Sequence, residues 1–203
     1  MLQDKLRNGP DPEEARQRAR ENKDRAKRME RRITKRFNGI MQRSAIRTPF
    51  SGAGYLKGDN IIELPVGKLI IECKLSAKRI GDIAYVPFFC NWIPKLQSDT
   101  DALYSIGARA SMFVLHWHRR GDDLDICIVS QKDAQELQRQ LHIPFDTFVQ
   151  TTELQTRKKN LKPLKRVDIP QTITRNTWLY LNESIFYILP LEDMYNYYES
   201  AYR

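Results

Sequence analysis

The chain has 203 residues, 41% of them hydrophobic, and a formal net charge of +9, a size that suits one domain with extensions around a substantial core. No run of eighteen apolar residues occurs, and the first 25 residues hold no apolar stretch, so neither a membrane-spanning helix nor a secretory signal is expected. Residues 1–50 hold fifteen Lys and Arg against seven Asp and Glu (+8), and the other 153 residues hold nineteen against eighteen (+1). The excess therefore marks an N-terminal arm for a polyanion. Residues 11–32 lack the apolar face that a membrane-surface helix needs, so nucleic acid is the expected partner.

Asn8-Gly9-Pro10-Asp11-Pro12 breaks the chain, and Asp11 followed by Pro12-Glu13-Glu14 reads as a capped helix start. The predicted helix runs to Phe37 or Asn38, where Asn38-Gly39 stops it. Its first half is polar all round, and its second half gains an apolar stripe at Met29, Ile33 and Phe37. Residues 40–57 read as irregular or short-strand structure. A hairpin follows: Asn60 to Leu64, a turn at Pro65-Val66-Gly67, then Lys68 to Leu75. Alternation puts Leu69, Ile71, Cys73 and Leu75 against the core and Lys68, Ile70, Glu72 and Lys74 on the other face. Lys78 to Asp82 is a turn, Ile83 to Phe89 an extended segment limited by Pro87, and Asn91 to Ser105 a helix ending at Gly107. Ala108 to His118 and Leu124 to Val129 are strands joined by a turn at Arg119–Asp123, and Ser130 caps a helix over Gln131–Leu141.

Beyond His142 the pattern changes. Thr156 to Pro170 reads as a basic linker or exposed loop. Thr177–Leu181 and Ile185–Leu189 form a hairpin, and a last helix opens at Pro190-Leu191 with Tyr195, Tyr197, Tyr198 and Tyr202. Those rings suit core packing, an interface or stacking on bases. The domain reading is an arm at 1–28, a core at 29–142 and a C-terminal extension at 143–203. Within the extension, 150–176 is the linker and 177–203 the hairpin and helix.

Asp59, Glu72 and Lys74 carry the chemistry. The two acids lie thirteen residues apart, and Glu72-Cys73-Lys74 puts a carboxylate beside an ammonium on one strand face. Two converging carboxylates suit a hard divalent cation, and the lysine can orient a water and stabilise charge at phosphorus. The plain alternative is an amphipathic hairpin with a surface ion pair.

Gly58-Asp59, the Glu72-Cys73-Lys74 triplet, the upstream helix Glu30–Phe37 and the small-residue loop Arg47–Gly54 resemble the PD-(D/E)XK nuclease superfamily. More narrowly, they resemble the archaeal and viral Holliday junction resolvases, over about Met29 to Leu141. Gly58 departs from the proline before the aspartate, Cys73 stands where valine is frequent, and the arm and the last sixty residues have no counterpart. The resemblance implies an α/β (α+β) fold: a restriction-endonuclease-like core with a central mixed sheet flanked by helices, plus the basic helical arm and the C-terminal hairpin-helix extension. It implies Asp59, Glu72, Lys74 and Glu30 as catalytic residues. Mg²⁺ or Mn²⁺ would be held by Asp59, Glu72, the Cys73 backbone carbonyl and Glu30. Arg31, Arg32, Lys35, Arg36, Arg43, Arg47, Ser51 and Lys57 would contact DNA. The implied activity is metal-dependent cutting of branched DNA such as four-way junctions, in recombination or repair, by a homodimer. A restriction-like or replication-repair endonuclease, or a DNA-binding protein without catalysis, are the other readings.

His116-Trp117-His118 has a spacing that can chelate Zn²⁺, but no third His or Cys lies near it. Cys73, Cys90 and Cys127 form no paired spacing, which points to reduced core thiols in a cytoplasmic setting, the host cytoplasm for a viral enzyme. No GxxxxGK[ST] motif occurs, so no nucleotide cofactor is expected. Ser51-Gly52-Ala53-Gly54 suits backbone-amide contact with a nucleic-acid phosphate.

Overall fold

The computed structural model describes residues 11–48, 58–76, 83–85, 92–118, 123–150, 166–168, 176–181 and 184–203. Among them α1 spans Pro12–Ile40, and the strands β1 (Ala45–Arg47), β2 (Asn60–Glu63) and β3 (Lys68–Ser76) follow it. Next come β4 (Ile83–Tyr85), α2 (Ile93–Ala102), β5 (Ala108–His118), β6 (Asp123–Ser130) and α3 (Gln131–Leu141). The chain continues through β7 (Val149–Gln150), β8 (Arg166–Asp168), β9 (Thr177–Leu181), β10 (Ser184–Pro190) and α4 (Leu191–Tyr202). The fold is α+β, with a mixed central sheet flanked by helices.

Eight strands form that sheet in the order β1-β2-β3-β5-β6-β10-β9-β7, and β4 pairs with β8 apart from it. β1, β2 and β3 are an antiparallel meander whose register pairs Arg47 with Asn60 and Asn60 with Ile71. β3 and β5 run parallel, which requires a crossover, and α2 lies within it. β10 pairs antiparallel with β6, so the C-terminal hairpin extends the same sheet.

Local signals set the element ends. Asp11 accepts from Glu13 N at the start of α1, and Ser130 accepts from Asp133 N at the start of α3. Gly107 takes φ +96°, the left-handed conformation that ends the short helical turn after α2. Past the end of α1, Asn38 bonds both backbone groups of Ala45, donating to its carbonyl and accepting from its N–H, each at 2.8 Å. A single side chain thus turns the chain from helix to strand.

Both faces of the sheet are covered. On one, Leu69, Ile71 and Cys73 join Met112, Val114, Cys127 and Leu189 beneath apolar residues of α1, α3 and α4. On the other, Ile61, Ile70, Phe113, Leu115, Ile126 and Ile128 are buried as well, and α2, which packs on β5, buries Ile93 and Leu96. The face of Ile70 was expected to be the polar one. It is polar only at the strand ends, because α2 covers its middle.

The tyrosines of α4 belong to the core. Tyr195 and Tyr198 each meet Phe37 edge-on, with ring centroids 4.9 Å apart. Tyr198 and Tyr202 both donate their hydroxyls to the Glu63 carbonyl, at 2.9 and 3.0 Å. Residues 166–168, read in sequence as linker, form β8 against β4. Of the other elements expected from sequence, the turn at Lys78–Asp82 and the loop at Ser51–Gly54 lie outside the described residues, as does the extended segment beyond Tyr85.

Candidate metal centre

Asp59 immediately precedes β2, and its position is set from both sides. Its N–H donates to the Ile71 carbonyl at 2.7 Å, and its carbonyl accepts from Thr48 N at 2.9 Å. Gly58 reaches this point with φ +83°, and a Cβ there would stand 2.5 Å from Ile70 Cγ2. Proline, fixed near φ −65°, cannot take that conformation, which accounts for glycine before the aspartate.

The pairing of β2 with β3 ends at Asn60 and Ile71. Two residues on, Cys73 N–H faces the same side with no strand to receive it, and Asp59 Oδ2 accepts it at 2.8 Å. By strand alternation the Cys73 carbonyl is directed to that side too. The Asp59 carboxylate is therefore lodged against the backbone between Glu72 and Lys74.

Glu72 and Lys74 lie on the α2 face of β3 and bond each other through Oε1 and Nζ. Burial raises the Glu72 carboxyl above its usual range. The Asp59 charge raises it further, against the opposing pull of Lys74. The Cys73 thiol is pushed well up by burial, and further by the charges of Asp59, Glu30 and Glu72.

Glu30 reaches the site from α1 but is occupied, because Arg47 Nε donates to its Oε2. Asn60, fully buried, ties α1 down here by donating to the Glu30 carbonyl at 3.0 Å and to Thr34 Oγ1 at 2.6 Å. Among the described residues no three His, Cys, Asp or Glu side chains come together as a metal-holding group. A cation here would have Asp59, Glu72 and the Cys73 carbonyl as its protein ligands, with water completing the shell. Mg²⁺ tolerates that arrangement, since it commonly uses one or two carboxylates and keeps several waters.

The basic residues divide into two groups. Arg31, Lys35 and Arg43 are exposed, Arg43 in a left-handed turn at φ 63°. Arg32, Arg36 and Arg47 are engaged with Asp125, Glu192 and Glu30. Ser51 and Lys57 lie outside the described residues. His116 Nδ1 is 2.6 Å from Asp125 Oδ1, which also takes Arg32 at its other oxygen, so this histidine belongs to a polar cluster between β5, β6 and α1.

Two site residues escape sequence reasoning. Trp92, capping α2, places its ring 5.2 Å from Lys74 Nζ, and Lys95 acts electrostatically on Glu72. Their i,i+3 spacing at the head of the first helix after the Glu-x-Lys strand is the signal that could have found them. No family model, curated protein or solved structure matches the chain.

Proposed function

We propose that the chain is a metal-dependent, structure-specific DNA endonuclease that hydrolyses phosphodiester bonds in branched DNA such as four-way junctions. The observation that carries this reading is the Asp59 carboxylate held on Cys73 N–H, beside Glu72 and Lys74. The element order supports a restriction-endonuclease-like core: a helix, a three-strand antiparallel meander, a crossover helix, then a strand parallel to the third.

Asp59 and Glu72 would hold the ion with the Cys73 carbonyl. Mg²⁺ or Mn²⁺ bound there supplies an acidified water and charge neutralisation at phosphorus. Lys74 would orient the attacking water, whose oxygen bonds to phosphorus as one P–O ester bond breaks, the departing sugar oxygen taking up the proton that the water gives up. Arg31, Lys35 and Arg43 contact phosphates directly. Arg32, Arg36 and Arg47 do so by exchanging their carboxylate partners, most readily Arg36, whose pair with Glu192 is exposed on both sides and worth only about 0–1 kcal/mol. Symmetric cutting of two strands needs two sites, hence a two-fold dimer.

The test is cleavage of a four-way junction and of linear duplex with Mg²⁺, by wild type and Asp59→Asn. Junction-selective cutting that the variant loses supports the proposal. Duplex cutting favours another nuclease of the same superfamily. A second reading, a DNA-binding protein without catalysis, is favoured by the want of a third carboxylate ligand among the described residues. Metal-independent binding with no cutting would establish it.

A further inference from the structure

We infer that Trp92 is a positioning residue of this site, its ring holding the Lys74 ammonium against the Glu72 carboxylate; the inference rests on the nuclease reading above. Lys74 is a point charge on a flexible four-carbon stem, and its side chain is 33% exposed. A hydrogen bond to Glu72 fixes the distance to one neighbour but leaves the stem free to swing about it. The Trp92 ring, 5.2 Å from Nζ, supplies the second fixed point. A tryptophan ring face, with its strong quadrupole, is the best of the natural aromatic partners for an ammonium.

The placement of Trp92 argues for that task over a core role. It is 44% exposed, although the buried residues Ile93, Leu96 and Thr100 show where α2 seats itself on the sheet. Its ring instead lies beneath the Lys74 ammonium, one turn from Lys95, an α2 residue whose charge reaches Glu72. The head of α2 thus acts on both members of the Glu72–Lys74 pair. The reaction consequence follows from geometry. Misplacing the group that orients the attacking water slows the chemical step without weakening the grip on DNA, which the phosphate contacts supply.

The experiment compares wild type, Trp92→Phe and Trp92→Ala, with thermal melts confirming that each is folded. Single-turnover cutting of a four-way junction with Mg²⁺ gives the rate of the chemical step, and binding of the same junction with Ca²⁺ gives affinity. Lysine labelled with ¹³C at Cε reports ring proximity by NMR, the Lys74 signal being assigned from its disappearance in Lys74→Arg. Trp92→Ala is expected to slow cutting between about fivefold, for the removal of one cation–π interaction, and about 100-fold, for a displacement near 1 Å. Affinity should change less than twofold, and Trp92→Phe should restore part of the rate. The Lys74 ε-protons should be shifted upfield in wild type and Trp92→Phe and return to ordinary values in Trp92→Ala. The inference is overturned by unshifted ε-protons in wild type, by an unchanged rate in Trp92→Ala, by a Phe variant no faster than Ala, or by an affinity loss equal to the rate loss. A wild type that cuts no DNA yet shows the shifted signal sinks the nuclease reading, and the part of Trp92 in the reaction with it, while upholding the ring–ammonium pairing.

Discussion

Two glycines of this chain should respond to the same substitution with opposite signs. At Gly58, φ is +83°, and an added Cβ would lie 2.5 Å from Ile70 Cγ2 and 3.1 Å from the Ile71 carbonyl oxygen. The left-handed backbone costs an alanine about 1–2 kcal/mol. Forcing a methyl into a filled space adds about 1–3 kcal/mol, here with a backbone oxygen that cannot step aside. Gly58→Ala should therefore destabilise by roughly 2–5 kcal/mol, a fall in melting temperature of about 5–15 °C for a chain of this size. Gly39, in the last turn of α1, has nothing within 4 Å of its would-be Cβ and takes no positive φ. Gly39→Ala should stabilise by up to about 1 kcal/mol through helix propensity. Urea titration and thermal melting of the two variants and wild type measure both effects in one series. The reasoning fails if Gly58→Ala melts within a degree of wild type, or no lower than Gly39→Ala. On the proposed nuclease reading, because Gly58 delivers Asp59 to Cys73, the same variant should also lose Mg²⁺-dependent cutting beyond what its stability explains.

Asp133 is buried and accepts from Ser111 N at 2.9 Å and from the hydroxyls of Ser111 and Ser130 at 2.8 Å. Asp133→Ala leaves that buried N–H unpaired and should cost about 2–4 kcal/mol in urea midpoint experiments. Burial raises the Asp133 carboxyl above 3.8 despite these bonds, so the folded state holds its proton longer than the unfolded chain. Its contribution is then fullest below pH 3.8 and declines as pH rises through the folded value, and wild type should lose stability relative to Asp133→Asn over that window. A pH-independent difference between the two refutes the assignment. Phe37 is fully buried between two tyrosine rings, and Phe37→Ala should cost about 3–5 kcal/mol by denaturant titration; a loss under about 1 kcal/mol would mean that α4 does not pack there. Residues 11–25 of α1 are exposed throughout. Deleting residues 1–27 should weaken DNA binding and flatten the logarithmic salt dependence by roughly 0.9 for each phosphate the arm had neutralised, and an unchanged slope takes the arm out of the DNA footprint.

The sheet was legible where local chemistry decides. Pro65-Val66-Gly67 fixes the turn between β2 and β3, the Leu64 N–H meeting the Gly67 carbonyl at 2.9 Å, and Ser130 and Gly107 mark helix ends by cap chemistry alone. The two strands flanking that turn fell within a residue of their expected bounds. What depends on distant partners was not legible. Ile70 reads as a face-mate of Glu72 and Lys74, and only the folded sheet reveals that it is buried. Arg32 and Arg36 look like free cations in a basic helix, yet their partners lie 93 and 156 residues away. β8 is three residues, Arg166-Val167-Asp168, too short for its alternation to mark a strand, and it pairs with β4. At the site, Asp59, Glu72 and Lys74 could be grouped from strand geometry. The Arg47–Glu30 pair depends on the docking of α1 and leaves no trace in spacing, and the Trp92 ring leaves only its i,i+3 relation to Lys95.

The Glu63 carbonyl that receives both Tyr198 and Tyr202 ties the ribbon bearing Asp59 to a helix made 135 and 139 residues later. On the ribosome this clasp cannot close until α4 has emerged, and pairings of such long sequence separation form slowly. The tie between β2 and α4 therefore forms only after all the strands of the sheet have been made. A chain cut before α4 would carry Asp59, Glu72 and Lys74 and still lack this tie on the hairpin that bears them.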